Sequence, residues 1–172
     1  MTRSLCLLLM LVVMSSAAAT PAVLVVDLSD AYTRSTALAG LLADVDKELK
    51  RLADTLRPKR QQLQRELREL KSQGPATRDQ QLKLARQIAE LDAASESAED
   101  HLADANQRAI AEVDAAIAEV KSQLKQSLGA RAVLDIQETL YVRPNCRCDV
   151  TDQLYARLNE KLPSVQLKIA QN

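Results

Sequence analysis

The chain has 172 residues with 23 Lys+Arg against 23 Asp+Glu, and it is 47% hydrophobic but only 2% aromatic. Three glycines leave no room for a G-x-x-x-x-G-K-[ST] phosphate loop or a G-x-G-x-x-G dinucleotide turn, and a single histidine removes most His-based metal and acid/base constellations. Nucleotide-driven and hydride-transfer chemistry is disfavoured. Apolar content carried by Leu, Ala, Val and Ile among charges of both signs is instead the composition of long helices and coiled coils.

Residues 1–19 have the layout of a secretory signal. Arg3 supplies a positive start, and residues 5–14 form an apolar run too short to span a bilayer, which takes about 20 residues. Small residues then end in an A-x-A site, so cleavage is expected after Ala19, carrying Cys6 away and leaving 22 basic against 23 acidic residues in an exported, soluble product.

Residues 22–28 (AVLVVDL) are β-branched and too short for a helix, and read as a buried strand. Ser29 and Asp30 are a plausible N-cap pair for a helix over 31–73. In it Leu38, Leu42, Val45, Leu49, Leu52 and Leu56 step by 4, 3, 4, 3, 4, one coiled-coil seam. Leu63, Leu67 and Leu70 continue in another phase: Leu52 to Leu63 and Leu56 to Leu67 are each 11 apart, a spacing that unwinds a left-handed supercoil. Pro58 lies in the same stretch and cannot donate its backbone hydrogen bond, which makes it a candidate hinge.

Gly74 and Pro75 stop the helix, and Thr77 with Gln80 opens a second as a capping box. Its seam runs Leu84, Ile88, Leu91, Ser95, Ala98, Leu102, Ala105, Ala109, Val113, Ile117, Val120, Leu124 and Leu128, with Gly129 at the end. The first arm, at 1.5 Å per residue, reaches roughly 65 Å, longer than a compact domain of this size is wide, so the hairpin projects. Beyond it, residues 132–136 read as a second strand and 141–149 as a loop. Thr151 is expected to cap a short helix carrying Leu154, Tyr155, Leu158 and Leu162, which Pro163 stops. Residues 164–169, with Val165, Leu167 and Ile169 alternating against Gln166 and Lys168, read as an edge strand.

The fold class is α+β, mostly α: a long antiparallel coiled-coil hairpin arm, residues 31–128 with its tip near 73–77, projecting from a small β-rich body made by residues 20–30 and 129–172. So few short strands are marginal as a lone sheet, which points to a symmetric oligomer sharing that sheet. Val23, Val25, Val133, Ile136 and Tyr141 are the candidate oligomer-body residues.

Charge is segregated along the arm. Residues 50–86 hold 11 basic and 4 acidic side chains, whereas residues 87–120 hold 9 acidic ones against Arg108 alone. The basic tip (Arg57, Lys59, Arg60, Arg65, Arg68, Lys71, Arg78 and Lys83) would steer acidic partners such as anionic polypeptides or lipid headgroups. Nucleic acid is a poor fit, given the expected export and the lack of Phe and Trp for base stacking. Cys146 and Cys148 are a possible disulfide in an exported protein, with interchain pairing and free thiols as the alternatives. Two cysteines with no nearby histidine make no zinc site. His101 reads as an exposed surface residue, and no catalytic constellation remains.

Val23-Leu24-Val25-Val26-Asp27, the amphipathic hairpin, Val133-Leu134-Asp135-Ile136, and Tyr141-Val142-Arg143-Pro144 leading into Asp149-Val150-Thr151-Asp152 with Leu158-Asn159 resemble the Skp/OmpH family of Gram-negative periplasmic chaperones. The resemblance implies a homotrimer whose subunits join strands into a β body, with three hairpins enclosing a cavity that holds unfolded outer-membrane β-barrel proteins without ATP or any other cofactor. It leaves lipopolysaccharide or an anionic membrane among the partners. Ala94, Ala98, Ala105 and Ala109 are then expected to line the arms with weak, diffuse contacts. An exported adaptor hairpin docking on a folded partner is the alternative.

Overall fold

The computed structural model describes residues 22–72, 78–139 and 146–170. The expected signal and its cleavage site, the Gly74, Pro75 and Thr77 turn, and Tyr141 with the loop to residue 145 lie outside these residues. The elements, in order, are strand β1 (Val23–Val26), helices α1 (Ala31–Arg34), α2 (Thr36–Ser72) and α3 (Arg78–Ser127), strand β2 (Ala132–Asp135), a 3-10 turn (Ile136–Glu138) and helix α4 (Thr151–Lys161). The architecture is mostly helical, a long helical hairpin of α2 and α3 on a small two-stranded sheet. None of the described helices is long and apolar enough to cross a membrane.

β1 and β2 pair in parallel, Val23 opposite Ala132 through Val26 opposite Asp135. Parallel strands need a crossover, and here the whole hairpin is that crossover. On the other edge of β1, the Val25 N–H donates to the Cys148 carbonyl (2.8 Å) and the Val150 N–H to the Val25 carbonyl (2.9 Å). β1 is therefore hydrogen-bonded along both edges, and with Leu24, Val25 and Val26 all buried it is covered on both faces as well, in keeping with its nearly continuous apolar sequence. β2 has no strand on its outer edge among the described residues.

The core sits where the hairpin meets the chain ends. Leu24 and Val26 of β1, Leu38 and Leu41 of α2, Val113, Val120 and Leu124 of α3, and Leu154, Tyr155 and Leu158 of α4 form one buried cluster. Gly129 follows α3 with φ 63°, the left-handed conformation that ends a helix and that glycine adopts without strain.

Three expectations about the ends of the arm need correction. The first helix is not continuous from residue 31: Ser35 is extended (φ −90°, ψ 120°) and separates α1 from α2. Asp30 holds the N-cap position of α1, without a side-chain cap bond, but the long helix starts afresh at buried Ser35, whose Oγ accepts the Leu38 N–H (3.4 Å). Thr151 does not cap α4; its N–H and hydroxyl both donate to Asp149 Oδ1 (3.0 and 2.6 Å), and its Oγ1 accepts the Asp27 N–H (2.9 Å). Residues 164–169 form no strand. The alternation correctly marks their inward side chains, but these pack on helices, and the base is a mixed α/β layer rather than a β-rich body.

Candidate functional site

Two polar clamps fix the arm to its base. Asn159 of α4 accepts the Thr36 N–H on Oδ1 and donates from Nδ2 to the Arg34 carbonyl, both at 2.9 Å, so one amide side chain satisfies backbone groups on each side of the Ser35 break. The buried Tyr155 donates its hydroxyl to the Asp27 carbonyl (3.1 Å), and the Arg34 guanidinium lies 4.5 Å above its ring while pairing with Asp152. Burial raises the Tyr155 hydroxyl pKa above its ordinary value.

Above this root the arm thins. All thirteen positions of the α3 seam are buried or half-buried, but full burial is concentrated between Leu102 and Leu124, with Leu84 the exception nearer the tip. α2 buries Ala37, Leu38 and Leu41 and no described residue beyond them. Its seam also differs in phase from the sequence reading. The inward positions are Leu38, Leu41, Val45, Glu48 and Leu52, whereas Leu42 and Leu49 are 51% and 46% exposed. α2 thus carries two adjacent apolar stripes. The inner one includes Glu48, whose carboxylate accepts from Arg51 one turn on and is thereby held below the usual carboxylate range. Leu42 and Leu49, seven residues apart, belong to the outer stripe.

The outer stripe leads into an open groove of about 400 Å³ between the helices, lined by Leu49, Leu52, Ala53 and Leu56 and rimmed by Arg57 and Arg60. The Ala-lined surface expected from the sequence is only partly available: Ala94 is exposed and Ala98 half-buried, but Ala105 and Ala109 are buried, 1% and 3% exposed, in the hairpin's own packing. Leu42 and Leu49 take the place of the two buried alanines as accessible apolar side chains.

The basic residues sit on the distal half of the arm. Arg57, Lys59, Arg65, Arg68, Arg78 and Lys83 are exposed, and Lys71 lies in the last turn of α2. Arg60 is also exposed but reaches across the hairpin to Asp92 (3.1 Å), an ion pair in solvent that contributes little to stability. Pro58 lies inside α2, which runs past it without a break in helix. His101 is half-buried rather than exposed and flanks a second groove, beside Leu52 and Ala98.

Of the candidate body residues, Val23 and Ile136 are exposed (40% and 37%), Val133 is half-buried against the core, and Val25 is buried in the protomer at 6% exposure. Cys146 and Cys148 form a disulfide with their Cα atoms 5.0 Å apart, in the segment that covers the free side of β1. Among the described residues no cluster of metal-ligating side chains occurs.

The sequence reading missed the Ser35 break, the Asn159 clamp and the placement of residues 164–170. The first had a signal, since Thr33, Ser35 and Thr36 are poor helix formers that favour caps. The other two depend on tertiary packing.

The model of the family described as outer membrane protein (OmpH-like) matches residues 22–158. The crystal structure of a candidate outer membrane chaperone (OmpH-like) from Caulobacter crescentus is similar, with a TM-score of 0.66 and 18% identity over 88% of this chain and 92% of that one, a likeness of fold. No curated protein matches the sequence. A family match that runs from β1 through the hairpin to α4 identifies the chain as a member of the OmpH-like outer membrane protein family.

Proposed function

We propose that this protein is a periplasmic holdase chaperone that keeps unfolded outer-membrane β-barrel proteins from aggregating, without nucleotide or cofactor. The observation that carries this reading is the outer stripe of α2: Leu42 and Leu49 are exposed on an arm whose root is fully packed, beside an open, partly apolar groove. Unfolded barrel strands alternate apolar and polar residues and aggregate through unpaired edges. A holdase needs only dispersed, shallow contacts to isolate them. The exposed distal cations would raise the rate of encounter with acidic clients, an effect that falls with salt.

In this reading the subunits assemble as a homotrimer through the open edge of β2, flanked by exposed Val23 and Ile136, with Val133 beneath. Three antiparallel arms around one cavity convert weak contacts into retention by avidity. Val25 serves the protomer core and not the subunit contact. The Cys146–Cys148 bridge fastens the segment beside β1, and Pro58 lets the arm bend to widen the cavity for large clients.

The test is dilution of a urea-unfolded outer-membrane barrel protein into the purified mature protein, at low and high salt. Aggregation should be suppressed at a stoichiometry of about one client per trimer, with slower capture at high salt. A well-folded trimer that suppresses nothing contradicts the reading and favours a hairpin that docks on a folded partner.

A further inference from the structure

The sequence reading assigned residues 164–169 to a sheet edge, but the structure lays them along the arm. Val165 is buried (5% exposed) in the root core, Leu167 packs against the same core, and Ile169 is half-buried higher up. The Lys168 carbonyl accepts from Arg108 Nη2 of α3 (3.3 Å). Leu167, Ile169 and Ala170 flank an open groove whose other walls are Glu48, Arg51 and Leu52 of α2 and Ala98 and His101 of α3, a mixed polar and apolar lining. The lengths agree. Eight extended residues beyond Leu162 reach about 26 Å, and Glu48 to Leu52 stand roughly 18–24 Å along α2 from Thr36.

How this strap is held matters more than where it lies. A sheet edge would engage every second backbone group, yet among the described residues Lys168 provides the one backbone group of the strap's upper part, residues 166–170, that has a protein partner. Below it, Val165 is an anchor. Above it, attachment depends on two half-buried aliphatic side chains spaced two residues apart, with Gln166 and Lys168 turned outward. That is the chemistry of an outer-membrane β-strand: extended, alternately apolar and polar, with an unpaired backbone. Leu52, an inward seam residue, lines both the strap's groove and the groove below the outer stripe.

We propose that residues 166–170 are a tethered stand-in for client, occupying an arm groove that takes extended, alternately apolar segments and yielding it when a client strand arrives. This rests on the chaperone reading above. Such a strap shields the groove in the empty protein. It also sets affinity, because a groove filled in cis for about nine-tenths of the time binds an external segment about tenfold more weakly.

The experiment uses the full mature chain with Leu167→Asn and Ile169→Asn together, leaving the Val165 anchor in place, and in parallel a chain ending after Gln166. Thermal melts by circular dichroism should stay cooperative and fall by no more than about 5 °C, the cost of two half-buried side chains, showing an intact root. Dissociation constants for an unfolded barrel client should fall about three- to tenfold in both variants. A synthetic peptide of residues 163–172 should bind the variants saturably and the parent weakly. Equal client affinity in parent and variants, or a peptide that binds neither variant, overturns the proposal and leaves the strap as packing alone. The peptide measurement needs no client. If the parent and both variants hold no barrel protein, the chaperone reading and the client part of this inference fail together, while saturable peptide binding would still establish the groove.

Discussion

The root and the distal half of the hairpin share a heptad-like spacing and differ in almost everything else. At the root, Val113, Val120 and Leu124 of α3 are sealed by β1, α2 and α4, each no more than 1% exposed, and backbone groups at the Ser35 break are satisfied by Asn159. Past Leu41 the third layer thins to the strap of residues 165–170, and beyond Leu52 α2 and α3 have only each other among the described residues, so the α2 seam is half-buried and its second stripe faces solvent. Two helices cannot close a core on their own; a third layer is what turns half-burial into burial. Heptad spacing therefore marks which side chains face a neighbour, and the number of neighbours decides how much water is excluded.

That contrast is sharpest in stability. Leu124→Ala, at a fully buried root position, should lower unfolding free energy by about 3–4 kcal/mol in urea titrations. Leu91→Ala, the same change in the half-buried distal seam, should cost about 1 kcal/mol. Equal losses would mean that the arm is packed as tightly as the root, and the comparison would fail. Asn159→Ala tests the hinge between the regions. It leaves the Thr36 N–H and the Arg34 carbonyl without their side-chain partner and should cost about 1–2 kcal/mol, with faster amide exchange at residues 34–38.

Functional variants sharpen the comparison from the distal side. Replacing Arg65, Arg68 and Lys83 by Glu should slow client capture about tenfold at low salt and little at high salt, with unfolding unchanged. Pro58→Ala restores a helical donor and should stiffen the arm, reducing capacity for the largest clients while leaving small ones unaffected. Unchanged capacity for large clients would remove the hinge role.

The smallest effect is one of pH. Asp27 accepts from the Ser29 hydroxyl and N–H, which hold its carboxyl below the ordinary value of 3.8. Its contribution to stability is present above pH 3.8 and is lost as pH falls through the lower folded value. Asp27→Asn should therefore lower stability slightly at neutrality and flatten the acid limb of the profile, the two proteins converging as pH falls below 3.8.

Much of this was legible in the sequence, for identifiable reasons. The α3 seam was readable at all thirteen positions because its polar flanks leave a single apolar line. α2 was ambiguous because it carries leucines at both 41 and 42 and at both 49 and 52, and the choice between stripes is made by α3 across the gap. The hairpin and both strands were legible from the change of hydrophobic period. Residues 164–170 were misplaced because alternation reports an extended chain with one buried side and says nothing about whether a sheet or a helix pair covers it. The Asn159 clamp joins residues more than a hundred positions apart and leaves no local signal.

The most direct test of a closed root carrying an open, client-holding arm is amide hydrogen exchange on the mature protein, with and without a bound unfolded barrel client. The account predicts strong protection of residues 113–124 and 154–158 in both states. Residues 42–63 and 84–98 should exchange faster when empty and become protected by client. Uniform protection along the hairpin in the empty protein, or client protection confined to the root, would contradict it.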